Sequence, residues 1–343
     1  MASSSASPRT LNSSTSDLAI RVRGLRKAYG AFEAVRGIDL DVARGEVFAL
    51  LGPNGAGKTT TVEILEGYRE RSAGEVDVLG YDPAQQARAL KQRIGIVLQS
   101  TGVERYLTVE ETLDMYRGYF PDPLRTEDVL DVVGLREQRA VRVKRLSGGQ
   151  QRRLDVGVGL IGNPELLFLD EPTTGFDPSA RRQAWEMVRS LRALGKTVFL
   201  TTHYMDEAQY LADRVAIIAR GQVVAAGPPA ALMASGDEVT SVRFRLPAGA
   251  QGWPDLVPEG VRSEDGMVVI ETSTPTALLF ALTRWAVGQS LELTELTVTR
   301  PSLEDVYLRL VGADAASDGA GAGVGAASEA ASRGRRRRRR GGS

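Results

Sequence analysis

Eight residues, Gly52 to Thr59, constrain this chain more than any other stretch. They match the phosphate-binding pattern G-x-x-x-x-G-K-[ST], and they lie between the apolar run Val47–Leu51 and a helix-like segment. The glycines let backbone N–H groups turn inward around an anion, and the helix adds the positive end of its dipole. The Lys58 ammonium can reach the terminal phosphates of a nucleotide. The predicted phosphate contacts are Gly52, Pro53, Asn54, Gly55, Ala56, Gly57, Lys58, Thr59 and Thr60.

Acidic and basic side chains follow two further apolar runs. Leu166–Leu169 leads into Asp170 and Glu171, and Val198–Thr202 leads into His203, which is the one histidine of the chain. Because open α/β sheets bind ligands at the carboxyl ends of their strands, we expect these side chains at one site. By itself the acidic pair would be read as a solvated turn, and the histidine as structural.

Each of these side chains has a predicted role. Asp170 and the Thr59 hydroxyl can ligate Mg²⁺, which prefers oxygen ligands. Glu171 can orient and deprotonate an attacking water, as a general base does. His203 can donate a hydrogen bond to the terminal phosphate or to that water. Gln99, at the end of the run Ile94–Leu98, can contact Mg²⁺ and water through its amide.

A second anion cradle is predicted at Leu146-Ser147-Gly148-Gly149-Gln150, immediately before a helix-like segment. The alternative is an ordinary capped helix, since serine is a preferred N-cap residue. Two such cradles in one chain favour nucleotide contact by Ser147, Gly148, Gly149 and Gln150. Tyr29, at the end of the first predicted strand region, could stack on adenine or be an ordinary, partly buried tyrosine.

Apolar runs alternate with helix-like segments along the chain, which predicts an α/β fold with a parallel sheet. A helical segment of about residues 100–160 interrupts this alternation and opens with a capping box at Thr108. Thr274-Pro275 is predicted to cap a later helix, and Leu291 to Val298 alternates as a strand. We predict a disordered N-terminus over 1–17, a main domain over 18–235, an accessory α+β domain over 237–312, and a disordered Ala/Gly linker with an arginine tail over 313–343.

Composition narrows the class of protein. The 343 residues include no cysteine, which excludes disulfides and thiolate metal sites and fits a reducing cytosol. No apolar run reaches about 18 residues and no signal peptide is visible, so we expect a cytoplasmic protein that reaches a membrane through a partner.

Charge is unevenly distributed. Seven arginines lie at Arg333 and from Arg335 to Arg340, and without them 36 basic residues face 43 acidic ones. The body is therefore acidic, and we do not expect it to bind nucleic acid. Three interpretations of the tail stay open: contact with anionic lipids, contact with nucleic acid, or a solvated end.

Taken together and in this order, the motifs resemble the ATP-binding cassette (ABC) ATPase family over about residues 20–233. The resemblance implies a P-loop nucleotide-binding domain of ABC type, with a RecA-like core, an antiparallel β subdomain and an inserted helical subdomain. It implies a homodimer or heterodimer that encloses two ATP molecules, with the phosphate loop of one subunit facing Ser147–Gly149 of the other. It also implies that Tyr29 stacks on adenine and that Asp177 lies at the interface, although Phe176 departs from the usual leucine.

The segment from Arg300 to Leu308, RPSLEDVYL, looks like the ATPase subunits of bacterial drug exporters of the daunorubicin-resistance type. This resemblance implies ATP hydrolysis that drives export of drugs, lipids or polysaccharides through a separate membrane permease, from the cytoplasmic face.

The alternative is a cassette ATPase that acts on DNA or ribosomes. Chromosome-maintenance relatives need long coiled coils between the two cradles, whereas Lys58 and Ser147 are 89 positions apart with no heptad run. Translation-type relatives carry two cassettes in one chain.

Overall fold

The computed structural model describes residues 17–98, 102–234, 240–246, 261–264, 266–299 and 302–310. The chain divides into two compact units, Met1–Asp237 and Glu238–Ser343. The predictions for Gln99, for residues 1–16 and for residues 313–343 fall outside the described residues. Within the described ranges, no helix combines the length and apolar character that crossing a membrane requires.

The first unit alternates strands and helices. Its strands are β1 (Leu18–Tyr29), β2 (Phe32–Ala43), β3 (Val47–Leu51), β4 (Ala73–Val78), β5 (Ile94–Val97), β6 (Leu166–Asp170), β7 (Thr197–Thr202), β8 (Arg214–Ala219) and β9 (Gln222–Gly227). Its α-helices are α1 (Lys58–Leu65), α2 (Pro83–Lys91), α3 (Val109–Arg117), α4 (Thr126–Val132), α5 (Gly148–Leu160), α6 (Pro178–Ala193), α7 (Met205–Leu211) and α8 (Pro229–Ala234). The insertion with α3, α4 and α5 contains the predicted helical segment, and Thr108 forms the predicted capping box with Glu111.

A six-stranded sheet in the order β5-β6-β7-β3-β8-β9 forms the centre of this unit. All neighbouring pairs from β5 to β8 are parallel, and only β9 runs antiparallel to its neighbour β8. Every residue of β3 and β7 is buried, as expected for parallel strands covered on both faces. The predicted α/β fold is confirmed. Because β6, β7 and β3 are adjacent and parallel, the segments that follow them meet at one edge of the sheet.

A second, antiparallel sheet in the order β2-β1-β4 packs on this one. Buried side chains from both sheets form one continuous apolar core, which includes Ile20, Val22 and Phe48. The Phe199 ring lies 5.5 Å from that of Phe48 and 5.6 Å from that of Phe168. Aromatic pairs at such distances add about 0.5–1.5 kcal/mol each beyond the burial of their area.

Helix α5, which begins with the second predicted cradle, packs directly on β5. A Cβ atom at Gly95 would lie 2.2 Å from the Gly159 carbonyl oxygen, and one at Gly159 would lie 2.9 Å from Val97 Cγ2. Glycine inside a helix costs about 1 kcal/mol relative to alanine. The close approach of helix and strand explains why this cost is tolerated at Gly159.

The second unit contains β10 (Thr240–Arg245), β11 (Val261–Glu264), β12 (Met267–Thr272), α9 (Pro275–Gly288), β13 (Thr294–Thr299) and a last helix, α10, at residues 303–310. Its antiparallel strands pair in the order β11-β12-β10-β13. Val242 and Phe244 of the sheet pack with Leu278 and Leu282 of α9 in a small core of their own.

Some local predictions were wrong or incomplete. Thr274 precedes α9, but its side chain makes no cap hydrogen bond, and its own N–H donates to Thr272 Oγ1 at 3.1 Å. The predicted strand at Leu291 to Val298 begins only at Thr294. All six of its residues are exposed, and β13 is an edge strand of its sheet. Helices α2 and α7 were not predicted, since α2 buries only Pro83 and Leu90 and so has a weak apolar pattern.

Candidate active site

The phosphate loop leaves the fully buried strand β3 and enters α1 at Lys58. Gly57 is the N-cap residue, with a φ of 106° that favours glycine. A Cβ atom at Gly57 would lie 2.7 Å from the Ala34 carbonyl oxygen, and one at Gly52 would lie 2.3 Å from that of Ile218. Both ends of the loop therefore depend on glycine for its close approach to neighbouring backbone.

Lys58 is buried within this loop. Its Nζ donates to the carbonyl oxygens of Gly52 at 2.8 Å and Pro53 at 3.2 Å, and it lies 3.7 Å from Glu171 Oε1. Burial lowers the pKa of Lys58, whereas the carboxylates of Glu171 and Asp170 act in the opposite direction. The loop thus holds the Lys58 ammonium, which can bind a phosphate, next to the acidic turn that follows β6.

That acidic turn is held by the neighbouring strand β7. Glu171 has a φ of 45°, in the left-handed region, which costs a non-glycine residue about 1–2 kcal/mol. Its N–H donates to both the carbonyl oxygen and the Oγ1 of Thr201, each at 3.1 Å. The Thr201 hydroxyl in turn donates to Asp170 Oδ1. These bonds fix the unusual backbone of Glu171 and the direction of the Asp170 carboxylate.

The structure brings together three of the predicted groups. Glu171 Oε1 lies 3.2 Å from His203 Nδ1 and 3.7 Å from Lys58 Nζ, while its Oε2 accepts a hydrogen bond from Thr174 Oγ1 at 3.1 Å. The Glu171 side chain is therefore flanked by the loop cation and the imidazole. A carboxylate so placed can accept a proton from a water that attacks a phosphate in the loop.

A cavity of about 390 Å³ adjoins the phosphate loop. It is lined by Tyr29, Phe32, Ala34, Asn54, Gly55, Gly57, Lys58, Thr59, Thr60 and Glu171. Tyr29 is 42% exposed, and Lys27 Nζ and Arg69 Cζ lie 5.2 Å and 5.4 Å from the centre of its ring. Phe32, 60% exposed and paired with Tyr29 across the β1–β2 turn, was missed by the sequence reasoning. The sequence signal that could have identified Phe32 is the pair of aromatic residues on either side of Gly30-Ala31.

The second cradle lies elsewhere. Ser147 Oγ accepts from the Gln150 N–H at 3.2 Å, and Gln150 Oε1 accepts from the Ser147 N–H at 2.9 Å, which forms a capping box at the start of α5. Ser147, Gly148, Gly149 and Gln150 line a separate cavity of about 750 Å³. No residue of the phosphate loop lines that cavity in the described part of the chain, whereas Glu171 borders both cavities.

Asp177 lines the same cavity as the second cradle. Its Oδ1 accepts from the N–H groups of Ser179 at 2.8 Å and Ala180 at 2.9 Å, so it is the N-cap residue of α6. Phe176, beside it, also lines this cavity. Asp177 thus shapes the cavity wall through the start of α6.

Glu207 is a buried carboxylate that joins three segments of the chain that were not predicted to meet. Glu207 Oε1 accepts from Thr173 Oγ1 at 2.8 Å and from Trp185 Nε1 at 3.2 Å. Burial raises the pKa of Glu207, and hydrogen bonds from Thr202, Thr173 and Trp185 oppose that rise. No spacing rule in the sequence points to this contact between α6, α7 and the turn after Glu171.

Comparison with known proteins identifies the family. The family model described as "ABC transporter" matches residues 35–174, and the model for the "ABC transporter domain-containing protein-like, C-terminal domain" matches residues 240–302. The chain is similar to the daunorubicin resistance ATP-binding protein DrrA3 of Streptomyces coeruleorubidus, at 37% identity over 87% of this chain and 97% of that protein. This chain belongs to the ABC transporter family.

Two other similarities extend this result. The Nod factor export ATP-binding protein I of Bradyrhizobium diazoefficiens is 39% identical over 87% of this chain and 98% of its own length. The solved structure of cbiO1 from Clostridium perfringens, part of the ABC transporter complex cbiONQ, superposes with a TM-score of 0.59 at 27% identity, over 64% of this chain and 91% of that one. As an ABC ATPase the chain binds ATP and hydrolyses it, and family members act as dimers with membrane permeases.

ABC ATPases use Mg²⁺ with ATP, and the donor set here fits that ion. Within the described ranges, no cluster of three or more acidic, histidine or cysteine side chains could hold a metal by itself. Mg²⁺ bound with a nucleotide needs only one or two protein oxygens, because phosphates and waters complete its shell. Thr59 and Asp170 supply a hydroxyl and a carboxylate of the required kind, while the third predicted ligand, Gln99, lies outside the described residues.

A carboxyl group that plays no part in this chemistry gives a pH prediction. Glu66, at the end of α1, is 1% exposed, and its Oε1 has no hydrogen-bond partner in the described part of the chain. Burial, with a smaller effect of Asp170, raises its pKa from the usual 4.5 to about 8. The folded state then binds this proton more tightly than the unfolded state, so stability falls as pH rises between about 4.5 and 8.

Glu66→Gln is expected to remove the loss of folding stability that the wild type shows as pH rises. The free energy of unfolding of the variant relative to wild type should increase with pH across this window, with a slope approaching about 1.4 kcal/mol per pH unit. Urea denaturation at pH 5 and pH 8 measures the difference, and Glu70→Gln, at an exposed position nearby, is the control. An equal difference between Glu66→Gln and wild type at both pH values would contradict the prediction.

Proposed function

We propose that this chain is the ATP-hydrolysing subunit of an exporter, that it works with a separately encoded permease at the cytoplasmic face of a membrane, and that its cargo is a drug or antibiotic. Relatives named for daunorubicin resistance and for Nod factor export, each matched over almost their whole length, support export. Nothing in these similarities favours an ATPase that acts on DNA or ribosomes.

In the proposed reaction, the backbone N–H groups of residues 54–60 and the Lys58 ammonium bind the phosphates of ATP, and Tyr29 stacks on adenine. Glu171 accepts a proton from water as the water attacks the γ-phosphorus in line, and ADP departs with the electrons of the broken P–O bond. His203, 3.2 Å from Glu171, would donate to the γ-phosphate and hold its orientation. Bound Mg²⁺, held by Thr59 and Asp170, would neutralise charge on the phosphates.

One observation carries the proposal that two subunits build each site: the two cradles of one chain line separate cavities. A nucleotide in the phosphate loop of this chain would meet Ser147–Gly149 only if a second cassette supplied them. Glu171 borders both cavities, which suits a base that acts where the two subunits meet. We infer a dimer with two such sites, whose closure on ATP and reopening after hydrolysis would drive the permease.

The remaining assignments stay predictions. The cassette is assigned to residues 18–235 and the accessory domain to 237–312. Gln99 is assigned to report nucleotide occupancy to the helical segment that follows it, and Asp177 is assigned to the dimer interface. Arg333–Arg340 is assigned to contact anionic lipid.

Purification of the full chain from its native membranes in a mild detergent tests the proposed function. A polytopic membrane protein should copurify in constant ratio, and the complex should hydrolyse ATP. Glu171→Gln should retain the permease but no longer support growth in the presence of the exported drug. Recovery of the chain with ribosomes or DNA, and without a membrane protein, would show that the export proposal is wrong.

A further inference from the structure

Arg152 is a buried cation whose contacts the proposed reaction does not use. It lies in the second turn of α5, five positions after Ser147, and is only 7% exposed. Its guanidinium donates to the carbonyl oxygen of Asp170 at 2.7 Å through Nη2, to that of Pro172 at 3.4 Å through Nε, and to that of Leu98 through Nη1. One side chain of the helix with the second cradle thus holds three carbonyl groups outside that helix.

The positions of these acceptors matter for the chemistry. Asp170 and Pro172 are the residues on either side of Glu171, so their peptide groups define the turn that directs its carboxylate. Leu98 follows β5 and precedes Gln99. A guanidinium is suited to this arrangement because it is planar and presents five donors in a rigid fork, whereas an ammonium is a compact point charge.

Nearby carboxylates partly offset the cost of burying this guanidinium. Burial lowers the pKa of Arg152, while the carboxylates of Asp155, Asp170 and Glu207 favour its charged form. Glu207 also accepts from Thr173, the residue after Pro172. The turn from Asp170 to Thr173 is therefore contacted by both Arg152, from α5, and Glu207, from α7.

We propose that Arg152 is a positioning residue that couples the second cradle to the turn carrying Glu171. This inference rests on the proposed dimer, in which Ser147–Gly149 of a subunit contact the ATP of its partner while Glu171 of the same subunit acts on its own ATP. A shift of α5 when the partner's ATP engages Ser147 is then transmitted through Arg152 to the carbonyl groups of Asp170 and Pro172. Each nucleotide thereby adjusts the general base at the other site, and hydrolysis becomes cooperative in ATP.

Arg153 provides a matched control from the next position of the same helix. Its Nη1 donates to the carbonyl oxygens of Val133 at 3.3 Å and Gly134 at 2.9 Å, both in the helical insertion. Burial lowers its pKa as it does that of Arg152. Arg153 has the same chemistry and the same kind of acceptor, but Val133 and Gly134 belong to the helical insertion and not to the turn that carries Glu171.

The experiment compares Arg152→Lys, Arg152→Gln, Arg153→Lys and Arg153→Gln in the full chain. The dissociation constant for ATP, kcat, the Hill coefficient for ATP and the thermal unfolding midpoint are measured for each. For Arg152→Lys we expect kcat to fall by up to about 10²-fold, since a displacement of about 1 Å can cost that much. ATP affinity should be retained, and the Hill coefficient should fall to about 1, the value for independent sites.

The Arg153 variants should retain kcat and the Hill coefficient of the wild type, even if their unfolding midpoint falls. Two results would overturn the role of Arg152: variants with unchanged kcat and Hill coefficient, or a loss of kcat that only follows the loss of ATP binding or of folded protein. If Arg152→Gln does not fold, the test of the proposed role depends on Arg152→Lys, which keeps the charge. A wild-type chain that never dimerises with ATP would instead contradict the proposed function.

Discussion

Glu171→Gln is expected to bind ATP as wild type does and to lose turnover by about 10²- to 10⁴-fold, the usual contribution of a general base. The amide keeps the size of the side chain and can still face His203 Nδ1 and Thr174 Oγ1, which lie 3.2 Å and 3.1 Å from the carboxylate oxygens. It cannot accept a proton from the attacking water. Steady-state ATPase rates and equilibrium binding of a fluorescent ATP analogue separate the two effects.

The same variant should accumulate an ATP-bound dimer. If hydrolysis reopens the closed pair of cassettes, a subunit that binds but does not hydrolyse ATP stays closed, and size-exclusion chromatography with ATP should show twice the monomer mass. Glu70→Gln, an exposed carboxylate at the end of the segment after α1, is the control and should keep wild-type turnover. Full ATPase activity in Glu171→Gln would remove Glu171 from the role of base.

The backbone at Glu171 adds a second consequence. Because a φ of 45° is costly for glutamate, the turn depends on the two bonds that Thr201 accepts from the Glu171 N–H. Thr201 and Arg152 therefore hold the same turn from β7 and from α5. This arrangement explains how a strained residue can keep one carboxylate direction without a bound ligand to fix it.

The sequence predicted the parts of this site that depend on local pattern. Buried strands are recognisable as continuous apolar runs, and their ends place Lys58, Asp170, Glu171 and His203 at one edge because parallel strands share a direction. The capping box at Thr108 was also predicted, since it needs only residues three positions apart, whereas at Ser147 a capped helix start was only the alternative to an anion cradle.

Contacts between distant segments could not be predicted in this way. Arg152 reaches Leu98 and Asp170, which are 54 and 18 positions away, and Glu207 reaches Thr173, 34 positions away. A charged residue in a helix is expected to face solvent, so its burial appears only when the packing of α5 on β5 is known. Strand β13 was misjudged for a related reason, because alternation alone does not tell an edge strand from a covered one.

Lys58→Met should abolish productive ATP binding. The Lys58 ammonium, 5% exposed and within reach of the loop carbonyls of Gly52 and Pro53, is the cation of the phosphate loop in the described structure. Hydrogen bonds to charged groups contribute about 1.5–3 kcal/mol, so ATP affinity should fall by about 10- to 100-fold and turnover should be lost. Lys91→Met, at the end of α2 where the ammonium lies 3.8 Å from the Tyr68 ring centre, is the control.

Mixing Lys58→Met with Ser147→Arg tests whether the site is shared. Each variant alone should be inactive, since one lacks the loop cation and the other blocks the second cradle. In a mixed dimer the intact loop of the Ser147→Arg subunit faces the intact cradle of the Lys58→Met subunit, which restores one of two sites. Random pairing of equal amounts should then recover at most about a quarter of wild-type activity, and less where the restored site lacks the coupling through Arg152 because its own cradle is blocked. If both cradles served the same ATP within one chain, no mixture of these two subunits would regain activity, because every chain would carry a defective site.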